Sequence, residues 1–111
     1  MNHLDWTYIS PALYKFVLRH DKKCHLCERK VFATFGEFKI AYSDKSDKQL
    51  KKLWERIRPT RDHILPASHG GKDSLLNMKL AHATCNRKRV NRPLVFYQME
   101  MMLIKMRYRR N

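Results

Sequence analysis

Cys24 and Cys27 stand two residues apart early in the chain, and His82 and Cys85 repeat that spacing far downstream. A fold that uses all four must close the intervening segment into a loop and bring its ends together. Three cysteines cannot all pair with one another, and Cys-x-x-Cys in a reducing compartment favours a metal ion over a disulfide. The quartet Cys24, Cys27, His82 and Cys85 has the ligand count and softness of a structural Zn²⁺ site. His25, inside the first pair, is a rival ligand. Otherwise it reads, like His3 and His20, as a surface residue.

Such a staple suits a chain of this length. At 111 residues it buries only about two thirds of the surface its unfolded form exposes. No repeat, low-complexity tract or Gly/Ser linker divides it, so a single domain over residues 1–111 is expected. Lys and Arg number 24 against 10 acidic residues, a formal charge of +14, which makes a polyanion the expected partner and nucleic acid the first candidate. A membrane is the weaker candidate, because the basic residues are dispersed and no apolar run approaches the roughly 20 residues needed to cross a bilayer. The opening residues Met1 to Trp6 lack a basic segment followed by an apolar stretch, so an intracellular protein is expected.

Local signals place most elements. Ser10-Pro11 reads as an N-cap with proline at the first helical position, and Leu13, Phe16 and Val17 follow at helical spacing, which predicts a helix over 11–19. Residues 31–42, apolar and aromatic around Gly36, are expected to form one or two short strands. Ser46-Asp47-Lys48-Gln49 resembles a capping box ahead of Leu50, Leu53, Trp54 and Ile57, a helix that Pro59 should end. A strand over 61–65, stopping near Pro66, a turn over 67–74 around Gly70-Gly71, and a returning strand over 77–80 should precede a helix from Ala83. After Pro93, residues 94–108 read as a methionine-rich helix packed on the first one. That stripe is core filler or, alternatively, a dimer seam.

Asp62-His63-Ile64-Leu65-Pro66 leads through Gly70-Gly71 and Asn77 to His82-Ala83-Thr84-Cys85-Asn86. This order of residues resembles the active-site hairpin of the HNH endonuclease family, of the zinc-knuckle type found in phages and mobile elements. The resemblance covers residues 24–89, with an insert over 28–60. It implies an α+β fold: a ββα-metal (His-Me finger) core with a structural zinc knuckle, flanked by N- and C-terminal helices. It also implies roles. His63 would be the general base that activates water, and Asn77 would bond across the hairpin loop and orient His63. Asp62 and Asn86 would ligate a catalytic Mg²⁺ or Mn²⁺, leaving His82 to the zinc and giving an H-N-N version of the motif.

The chemistry suits those residue types, because imidazole accepts a proton near neutral pH and a divalent cation offsets the charge on phosphate. Arg87, Lys88 and Arg89, in the first turns of the helix after Asn86, and Arg61 and Lys72 on the hairpin are candidates to grip phosphate. For each the alternative is a solvated charge. His69 reads as a surface residue of the loop. The implied function is a metal-dependent DNA endonuclease, monomeric or dimeric through the C-terminal helix. The competing function is an inactive zinc-stabilised module that binds nucleic acid without cutting it.

Overall fold

The computed structural model describes residues 5–65, 67–89 and 94–109; His3, Pro66 and Pro93, named above, lie outside them. Helix α1 (Pro11–Arg19) begins where Ser10 Oγ accepts the amide of Leu13 at 3.1 Å, with Pro11 in the first turn. It turns Phe16 and Val17 into a core completed by Cys24, Val31, Ala33, Leu80 and Ala81.

Residues 31–42 correct the expectation of strands, since helix α2 (Phe35–Ala41) forms there. Thr34 Oγ1 accepts the amide of Glu37 at 3.1 Å, an N-cap that the strand reading passed over. Phe35, Phe38 and Tyr42 then fall on one side, and Phe38 packs into a second core with Leu50 and Trp54. Glu37 also ties α2 to the cysteine turn, pairing with Lys22 at 2.6 Å and Lys30 at 3.3 Å. Partial burial works against its charge, but those two ammonium groups outweigh it and hold the carboxyl below its ordinary range.

Helix α3 (Asp47–Ile57) carries the expected capping box, with Ser46 and Gln49 exchanging both bonds. It ends as foreseen, because Arg58 is extended ahead of Pro59. Strand β1 (Pro59–His63) pairs antiparallel with β2 (Met78–His82), from Pro59 opposite His82 to His63 opposite Met78. The first strand therefore starts and stops two residues before the expected 61–65. Proline is tolerated as the first residue of an edge strand.

The loop between the strands holds single 3₁₀ turns at Ala67–His69 and Leu75–Asn77, with Gly70 in the left-handed region at φ 86°. Helix α4 (Ala83–Arg89) follows β2 without a linker and packs on both strands and on α3. Helix α5 (Leu94–Arg109) leaves Phe96, Met99, Met102 and Leu103 exposed. Among the described residues it makes no extensive contact with α1, contrary to expectation. Instead its buried Tyr97, with Met101 and Met102, lines a cleft of about 280 Å³ against His25, Leu26 and Glu28. No described helix is long and apolar enough to cross a membrane.

Candidate functional site

Cys24 and Cys27 sit on a tight turn in which the amide of Glu28 donates to the carbonyl of Cys24 at 2.9 Å and the amide of Cys24 to that of Arg29 at 3.0 Å. Glu28 closes it in the left-handed region at φ 67°. His82 ends β2 and Cys85 lies in the first turn of α4, so the strand-to-helix junction delivers the second pair to the first. One ligand atom from each of Cys24, Cys27, His82 and Cys85 lies within 4.8 Å of all the others. His82 Nε2 donates to the carbonyl of Lys30 at 2.8 Å, which leaves Nδ1 bare and facing Cys27 Sγ at 3.3 Å and Cys85 Sγ at 3.9 Å.

The sulfurs share their charge unequally. A hydrogen bond from Cys85 holds the Cys24 thiol far below its ordinary range, and that same bond, with burial, pushes Cys85 up. Burial likewise raises Cys27. Burial works against the charged form of His82, but the nearby Cys24 sulfur and the Lys30 carbonyl outweigh it and raise the ring above its ordinary range. An imidazole nitrogen and three sulfurs fit Zn²⁺ in donor type and number. His25 is outside this cluster, its Nε2 spent on Asp62.

The second group of residues lies on β1 and α4. Asp62 is 3% exposed, and its Oδ2 accepts from Nη1 of Arg89 at 2.6 Å and Nε2 of His25 at 2.6 Å. Asn86, in the first turn of α4, donates Nδ2 to Thr60 Oγ1 and to the carbonyl of Arg61, both at 3.3 Å. Its own side-chain oxygen is not used in either bond. Thr60 and Asp62 share a face of β1, so the amide of Asn86 is anchored on the face that carries the carboxylate. Two hard oxygen donors on one face fit Mg²⁺ or Mn²⁺ by donor type.

His63, next along the strand and on its other face, is half-buried at the strand's last position. Its Nε2 lies 3.1 Å from Oδ1 of Asp73. A carboxylate only accepts, so Nε2 carries the proton and Nδ1 is the proton-accepting atom.

Asn77 bonds across the loop as expected, but to backbone. Its Oδ1 accepts the amide of Leu65 at 2.9 Å, and its Nδ2 donates to the carbonyls of Leu65 and Lys72. The expected orientation of His63 by Asn77 is corrected, because the ring's partner is Asp73. Arg89 is corrected too. It was expected to face phosphate, yet it is fully buried, donating to Asp62 and to the carbonyls of His63 and Ile64. Its spacing from Asn86, i to i+3, puts both on the face of α4 that meets β1, a signal the sequence did contain.

Of the other basic candidates, Lys72, Arg87 and Lys88 are exposed, while the Arg61 guanidinium lies over the ring of Phe16 at 5.5 Å. His69 is exposed and its Nδ1 lies 3.1 Å from Ser68 Oγ.

The β1–β2 hairpin runs directly into α4, and together they carry Asp62, His63 and Asn86. Residues 53–92 match the family model of the HNH endonuclease. The HNH segment takes in β1, the loop, β2 and α4, and with them His82 and Cys85, while Cys24 and Cys27 precede it. HNH domains bind metal and act on nucleic acid, so the match supports nuclease activity in general terms. No curated protein and no solved structure matches the chain.

Proposed function

We propose that this chain is a metal-dependent DNA endonuclease of the ββα-metal, zinc-knuckle type, hydrolysing phosphodiester bonds with His63 as general base. The observation that carries the proposal is the packing of α4 on β1 inside the matched segment, where buried Asp62 and the anchored amide of Asn86 share one face of the strand that His63 ends. Asp62 and Asn86 would hold Mg²⁺ or Mn²⁺, and Cys24, Cys27, His82 and Cys85 would hold Zn²⁺.

His63 Nδ1 takes a proton from water, whose oxygen attacks phosphorus as the bond to the 3′ oxygen breaks. The divalent cation, when bound, supplies counter-charge to the phosphate and to the departing oxygen. Asp73 keeps Nε2 protonated and so reserves Nδ1 for the incoming proton. Asn77 holds the ends of the loop that bears Asp73. Lys72, Arg87 and Lys88, all exposed, would offset backbone phosphates.

The test is incubation with supercoiled plasmid and Mg²⁺ or Mn²⁺, giving nicked or linear product. His63→Ala should lower the rate by about 10²- to 10⁴-fold while DNA retention persists. Retention by the wild type with no cleavage under either metal would replace the enzyme by a zinc-stabilised binding module.

A further inference from the structure

Metal-binding carboxylates are oriented by the groups that hold their second oxygen. Oδ2 of Asp62 is held from two directions, by Arg89 of α4 and by His25 of the cysteine turn, each at 2.6 Å. Among the described residues no hydrogen bond reaches Oδ1. Each holder is itself tethered. The Arg89 guanidinium is fully buried and also tied to the carbonyls of His63 and Ile64. The His25 side chain is 12% exposed, and its own amide donates to the carbonyl of Leu80 at 2.9 Å. The carboxylate only accepts, so Nε2 of His25 carries the proton.

His25 also lies between Cys24 and Cys27, and the cluster forms without it. Its backbone is therefore carried by the turn that the four ligands define, and its ring reaches Asp62 from there. Asp62 is 37 residues away in the chain, and this bond joins the two sites directly.

We infer that His25 is a positioning residue. From inside the zinc-binding turn, and with Arg89, it holds Oδ2 of Asp62 so that Oδ1 faces the catalytic cation, which makes the cation site depend on the order of the zinc site. This rests on the proposed role of Asp62 as a cation ligand.

The test uses the zinc-loaded protein without nucleic acid, titrated with Mn²⁺ and followed by electron paramagnetic resonance. Wild type is compared with Asp62→Asn, His25→Leu and His25→Gln. Asp62→Asn and His25→Leu should each weaken Mn²⁺ binding by about 10- to 100-fold. His25→Gln, which presents an N–H at similar reach, should recover most of the loss, with zinc content unchanged in both His25 variants. A purely structural His25 would lower thermal stability in His25→Leu and leave the Mn²⁺ affinity of the folded protein alone, which overturns the inference.

If Asp62→Asn binds Mn²⁺ as wild type does, the role of Asp62 falls and this inference falls with it. If Asp62→Asn weakens binding but His25→Leu does not, only the role of His25 falls. Should His25→Leu fail to hold zinc, the wild type decides. Mg²⁺ should shift the ¹⁵N resonance of His25 Nε2 saturably, and an unmoved resonance at saturation overturns the inference.

Discussion

Arg89 shows how a single residue's role turns on its surroundings. On an exposed helix turn it would be one more cation in a very basic chain. Fully buried, with Nη1 2.6 Å from Oδ2 of Asp62, it is a counter-charge to that carboxylate in the interior. Arg89→Ala should therefore destabilise the fold by about 3–5 kcal/mol, read as a fall in the denaturant midpoint, because it leaves an uncompensated charge. Asp73 is the opposite case. Its carboxylate is 86% exposed, so its bond to His63 is screened and worth at most about 1 kcal/mol. Asp73→Ala should slow plasmid cleavage only about twofold to fivefold and leave the melting temperature unchanged.

Elements divide the labour. The junction of β2 with α4 supplies adjacent residues to two different sites, Cys85 to the cysteine cluster and Asn86 to the face beside Asp62. Cys85→Ser should lose zinc and unfold or markedly destabilise the protein, whereas Asn86→Ala should stay folded, keep zinc and stop cutting. Equal melting temperatures for the two would overturn the separation. At the start of α3 the capping box ties two amides, and Ser46→Ala should cost about 1 kcal/mol in a denaturant titration.

Glu37, which links α2 to the cysteine turn, has its carboxyl depressed by Lys22 and Lys30. A depressed carboxyl stabilises the fold above its unfolded value of 4.5 and loses that contribution as pH falls through the folded value. The melting temperature should drop on acidification below about pH 4.5, and Glu37→Gln should flatten that part of the profile.

For the molecule as a whole, a charge of +14 implies that nucleic-acid binding is dominated by phosphate contacts and falls steeply with salt. Which cations contribute depends on exposure. Arg87→Ala and Lys88→Ala should each reduce the slope of log affinity against log salt by about one, in a fluorescence-anisotropy titration at several salt concentrations. Unchanged slopes would place the binding face elsewhere.

Much of the local structure was legible in the chain because its determinants act over a few residues. Ser10-Pro11 and the Ser46 capping box start helices, Pro59 stops one, and Gly70 turns a loop, all through bonds or sterics within about one turn. The two metal-type ligand pairs were legible for a similar reason, since their spacing is itself the chemical requirement, and the structure brings them together. The helix over Phe35–Ala41 departs from the strand expectation because its aromatics satisfy a strand pattern as well as a helical one. Packing around Trp54 and the Thr34 cap decided between them.

What only the tertiary structure decided are the pairings across the chain: His25 and Arg89 with Asp62, Asp73 with His63, and α5 with the cysteine turn in place of α1. Asp62 and its two partners are separated by 37 and 27 residues. No short-range pattern encodes such contacts; they exist only once the cores have closed and a buried charge must find its complement.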